Sequence, residues 1–132
     1  MAFYDIIVIG ESMKKKRIII LSILAVIVIT TLACFLVLKN NKTFFKSEYI
    51  GVEGQKIFIP KYSYFKEECC MTAASFYSLR SEKELKKEID NYMKDFEYFE
   101  DETTYGYRKD GLFIQKYEVV NEGLFRKIVI TY

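Results

Sequence analysis

The sequence predicts an α+β protein: a single N-terminal transmembrane helix, then a small antiparallel β-sheet of about five to six strands covered by one amphipathic helix. Three observations predict it. Ile18 to Leu38 is an apolar run of 21 residues without charge, Gly or Pro. Residues 81–96 carry apolar side chains at a helical period behind a capping signal. The rest of residues 49–132 alternates in short stretches between turn signals such as Pro60, Asp110-Gly111 and Gly123.

The apolar run comes first. As a helix rising roughly 1.5 Å per residue it is about 31 Å long, enough to cross a hydrocarbon core. Lys14, Lys15, Lys16 and Arg17 stand directly before it, whereas Lys39, Lys42 and Lys46 are scattered after it. This positive-inside bias predicts a cytoplasmic N-terminus, an extracytoplasmic C-terminal domain and residence in the plasma membrane. The expected organisation is a short tail over 1–17, a signal anchor over 18–38, a polar tether over 39–48 and the domain over 49–132. A start at Met13 would give MKKKRIIIL, a common shape for an export signal or anchor, and would make residues 1–12 a misplaced start.

Two other fates are open to the run. A cleaved signal peptide has a shorter apolar core and a small-x-small exit, but this run continues through Phe35, Leu36, Val37 and Leu38. Lipidation at Cys34 would suit Ala33 just before it, yet Thr31 and Leu32 fit the preceding positions poorly and the residues that follow stay apolar. The segment YDIIVIG upstream has the shape of a dinucleotide-binding strand. Ser12 and Lys15 stand where the second and third glycines of that motif are needed, so it binds no cofactor by that route.

Beyond the tether, where Phe44 and Phe45 either touch lipid headgroups or enter the core, Gln55 to Pro60 alternates as a strand that Pro60 ends. Thr72 to Arg80 is a second strand, although its pattern also suits a helix. Ser81 and Glu84 then form a capping box, and Leu85, Ile89, Tyr92, Met93 and Phe96 share one helix face. Glu82 with Lys86 and Asp90 with Lys94 are i,i+4 pairs on the other face. Strands follow near Glu97 to Asp101, Thr103 to Lys109, Leu112 to Val120 and Leu124 to Tyr132. Asp110-Gly111 reads as a two-residue hairpin turn, and Asn121-Glu122-Gly123 as a three-residue one.

Charge and composition limit the function. After Leu38, 13 Lys and 3 Arg balance 16 Asp and Glu, which leaves no basic footprint for nucleic acid. His is absent, and with it the usual acid/base, His-based zinc sites and Ser-His or Cys-His pairs. No catalytic residue, cofactor or metal site is assigned. The Lys-rich, Arg-poor composition suits an A+T-rich bacterial genome.

Two clusters remain. Residues 39–132 hold 10 Tyr and 9 Phe, and Tyr98, Phe99, Tyr105 and Tyr107 are the candidate contacts for a protein or cell-envelope partner. The alternative is that a small sheet simply favours aromatic residues. Adjacent Cys69 and Cys70 are candidate redox residues, with a pair of inert thiols as the plainer reading. Glu97, Glu100, Asp101 and Glu102 lack the spacing that wraps a chain around Ca²⁺. The expected function is therefore a non-catalytic binding module on a membrane anchor, with the bilayer as its first partner. A lipoprotein, a thiol or hydrolytic factor, and a subunit whose span makes contacts are the alternatives.

Overall fold

A computed structural model describes the backbone of residues 2–132 and the side chains of residues 12–132. The apolar run lies inside a longer helix, α1 (Ala2–Asn40). From Ser12 to Asn40, 29 residues, α1 is long and apolar enough to cross a membrane by length and composition. Its apolar side chains, Ile18 to Val37, are exposed. The Ser22 hydroxyl donates to the Ile18 carbonyl and Thr31 to Ile27, each at 2.8 Å. These two hydroxyls thus find acceptors within the helix itself.

Residues 38–132 form a separate compact unit. Its elements are β1 (Glu48–Ile50), β2 (Lys56–Phe58), β3 (Tyr64–Cys69), β4 (Ala73–Ser78), α2 (Glu82–Met93), β5 (Glu97–Glu100), β6 (Tyr105–Lys109), β7 (Leu112–Ile114), β8 (Lys116–Glu122) and β9 (Phe125–Thr131). The α+β class holds, but the single sheet of about five to six strands does not. Nine strands form three antiparallel sheets, β1-β2, β3-β4-β9-β8 and β5-β6-β7.

The difference has three local causes. The predicted strand Leu112 to Val120 breaks at Gln115. Ile114 ends pairing with β6, Lys116 begins pairing with β9, and Gln115 donates its N–H to Thr131 O at 2.7 Å. β3 has no strand pattern in the sequence, because Lys66, Glu67 and Glu68 carry no apolar alternation and a register shift separates Phe65 from Glu67. β1 is only three residues long and begins at the end of the predicted tether.

That tether is fastened to the domain. Asn41 Oδ1 accepts the Phe65 N–H at 2.9 Å while its Nδ2 donates to Phe65 O at 3.2 Å. Thr43 is fully buried, and its hydroxyl donates to Ser63 O at 2.7 Å.

The central sheet explains the core. In β4 and β9 the register sets Ala74 opposite Ile130 and Phe76 opposite Ile128, all four buried on one face. α2 closes that face with Leu85 and Ile89. Ser81 caps the helix by accepting the Glu84 N–H at 3.2 Å, and Tyr92, Met93 and Phe96 pack on the same core, Phe96 from beyond the helix end. The Glu82–Lys86 pair forms at 2.6 Å; Asp90 and Lys94 make no ion pair among the described residues.

Tyr49, also buried, places its ring 5.3 Å from Phe76 and donates its hydroxyl to Glu68, with Tyr132 Oη 3.0 Å away. Burial first, then those bonds, push its phenol well above the ordinary tyrosine range. Many of the aromatic residues are thus core, and the hydroxyls buried among them are satisfied: Tyr117 donates to Phe58 O at 2.6 Å.

Turn chemistry follows the sequence at Asp110-Gly111, where φ values of 49° and 82° and the Lys109–Leu112 pairing make a type I′ hairpin. Gly123 is left-handed as expected, at φ 72°. The β8–β9 loop is nevertheless two residues, Gly123 and Leu124, because Glu122 still pairs with Phe125.

Candidate functional site

The β5-β6-β7 sheet divides the four aromatic candidates. Tyr98 pairs with Tyr107 and Glu100 with Tyr105, so three tyrosines project from one face. The Tyr98 and Tyr107 rings meet edge-on with centroids 5.3 Å apart, and Tyr98 and Tyr105 are about half exposed. Tyr98 is held above its ordinary pKa, by desolvation first and then by the Glu100 charge.

Phe99 lies on the opposite face, since it pairs with Gly106. There its ring stands 5.5 Å from Phe113 and 4.9 Å from the Arg108 guanidinium. Gly106 makes room for this cluster: a Cβ at that position would lie 2.6 Å from Phe113 Cε2. The period-2 alternation of a strand thus reduces the four residues to a face of Tyr98, Tyr105 and Tyr107.

Cys69 and Cys70 sit at the tip of the β3–β4 hairpin, both exposed and without a disulfide, with Sγ atoms 2.8 Å apart at hydrogen-bond distance. Cys70 and Met71 take left-handed φ values of 57° and 62°, a conformation that tight hairpins usually give to Asn or Gly. The Cys69 thiol is pushed upward, first by its hydrogen bond and charge interaction with Cys70 and last by Glu67. Reactive cysteines need the reverse, an electropositive setting that favours the thiolate.

The acidic residues lie on β5 and the β5–β6 loop. The Asp101 N–H bonds Thr104 O at 2.7 Å, the Asp101 carboxylate accepts the Glu102 N–H at 2.6 Å, and Glu97 lies 4.0 Å from Arg108. Among the described residues, no group of three or more His, Cys, Asp or Glu is placed to hold a metal.

One feature escaped sequence reasoning. An apolar groove of about 540 Å³ is lined by Leu38, Phe44, Tyr62, Tyr64, Tyr77, Leu79 and Phe125, with Ser78 and Arg80. Tyr64 and Tyr77 are cross-strand partners on the face of the central sheet opposite its core. Phe125 brings its ring to 5.8 Å from Tyr77, and Phe44 lies 5.6 Å from Tyr62. Arg80 is held by both Glu88 carboxylate oxygens, at 2.9 and 2.7 Å. The contributing residues come from five separate stretches, so no window of sequence announces the groove. No protein family, curated protein sequence or solved structure matches the chain.

Proposed function

We propose that the protein is a single-pass membrane-anchored module of the cell envelope. In this reading α1 crosses the plasma membrane with its N-terminus in the cytoplasm and holds the α+β domain outside. The run of Lys14 to Arg17 supports the orientation, and the apolar residues Phe35 to Leu38 that follow Cys34 support an uncleaved, unlipidated anchor. The domain acts by binding, through the tyrosine face of β5 and β6, a protein or other envelope component. The observation that carries this is the exposed Tyr98–Tyr107 pair with Tyr105 beside it. Tyrosine gives rigid contact area at low entropic cost and keeps a hydroxyl for a polar partner.

Site-specific photo-crosslinking in the native membrane tests the binding face. A benzophenone side chain placed at Tyr98 or Tyr107 should give a discrete adduct, whereas one at exposed Lys83 on α2 should give none. No adduct at 98 or 107 above the Lys83 background would remove the tyrosine face from the account.

A further inference from the structure

We propose that the apolar groove and its aromatic rim are a lipid-contacting surface, by which the domain rests on an anionic bilayer at the headgroup boundary. The proposal rests on the reading of α1 as a membrane span. Its first support is continuity. The groove begins at Leu38, the last residue of the apolar run, and Phe44 follows only six residues later. Even a fully extended chain spans at most about 3.6 Å per residue, which keeps Phe44 within roughly 22 Å of Leu38.

The second support is the rim. Tyr62, Phe45, Leu79 and Phe125 expose 52%, 51%, 73% and 46% of their surface, a combination costly in water and suited to the interface, where aromatic rings settle at headgroup level. Phe44, Phe45 and Tyr62 form one ring cluster, with centroids 4.9 to 6.5 Å apart. Tyr62 presents its ring from a left-handed backbone at φ 63°, fixed by the bond from its N–H to Phe44 O at 3.1 Å.

Charge is the third support. The domain as a whole is neutral, but residues 39–46, which carry Phe44 and Phe45, contain Lys39, Lys42 and Lys46 and no Asp or Glu, a net charge of +3 along that stretch. Lys39, Lys46 and Lys61 are the immediate chain neighbours of Leu38, Phe45 and Tyr62. The Lys66 ammonium stands 6.0 Å from the Tyr77 ring. Lysines fringing an aromatic surface reach past it to anionic phosphates, which is the usual dress of an interfacial segment.

The test uses the full chain in vesicles of phosphatidylcholine and phosphatidylglycerol. A fluorophore is attached to a single cysteine, Leu79→Cys or Phe125→Cys, with Cys34, Cys69 and Cys70 replaced by Ser. Native Cys70, alone at the far end of the β3–β4 hairpin, is the control. Spin-labelled acyl chains should quench the probes at 79 and 125 severalfold more than the probe at Cys70. Alkaline carbonate extraction of the same vesicles reports the anchor independently.

Equal quenching at all three sites in a chain that stays in the membrane pellet overturns the surface and leaves the anchor intact. Probes shielded from aqueous iodide but not quenched by lipid also overturn it, because a second copy or another protein then covers the groove. A chain that leaves the pellet removes the anchor, and this proposal with it.

Discussion

Phe76→Ala is expected to cost the domain about 3–5 kcal/mol, the range for truncating a fully buried phenylalanine. Phe76 has no exposed surface, its ring lies 5.3 Å from Tyr49 and 5.7 Å from Phe65, and Ile128 is its cross-strand partner. A domain of this size has a total stability of roughly 5–15 kcal/mol, so the loss is a large fraction of the whole. Urea unfolding of the full chain in detergent, followed by near-ultraviolet circular dichroism of the tyrosines, should show the midpoint collapse. Tyr77→Ala, one residue along on the opposite sheet face and partly exposed, is expected to cost clearly less. Equal losses at the two positions would mean that the core does not lie on the Phe76 face.

The second large effect concerns the span. Val26→Arg together with Ile29→Arg places two charges near the middle of the apolar run. Each arginine at the centre of a membrane helix costs about 2.5–3.5 kcal/mol of insertion free energy, so the pair removes roughly 5–7 kcal/mol. The carbonate-resistant fraction of the protein should fall from nearly all to a trace. Lys83→Arg on α2 should leave it unchanged. A double variant that stays fully membrane-integrated would mean that α1 does not sit in hydrocarbon.

Legibility in the sequence followed the range of the physics involved. The apolar run needed only composition and length, and the α2 cap needed only Ser81 and Glu84. The β6–β7 hairpin needed only Asp110-Gly111. Each is decided within a few residues of chain. The sheets were less legible because pairing is decided across the chain. Gln115 looks like any polar residue inside a strand, yet its N–H goes to Thr131 and the strand changes sheets there. Thr43 reads as tether until its hydroxyl is seen on Ser63 O. β3 gives no strand signal because its sequence, YFKEEC, spends its middle on charge.

The candidate sites show the same division. Sequence density picked out Tyr98, Phe99, Tyr105 and Tyr107 together, and only the strand register separated Phe99 from the rest. It could not reveal the groove, whose walls converge from residues as distant as Leu38 and Phe125. The adjacent cysteines were visible at once. Their place at the tip of the β3–β4 hairpin, with Cys70 in a left-handed turn position, was not.

Both proposed surfaces depend on an anchored chain with its domain outside the membrane. Protease added to intact cells, with intact-mass measurement of the purified mature chain, tests that most directly. The domain is expected to be digested from outside, a fragment containing Ile18 to Leu38 to remain protected, and the untreated chain to run through Cys34 with no lipid added. A domain protected in intact cells but digested after lysis would contradict the orientation. A mature mass showing cleavage within the apolar run, or an acyl adduct on Cys34, would contradict the anchor.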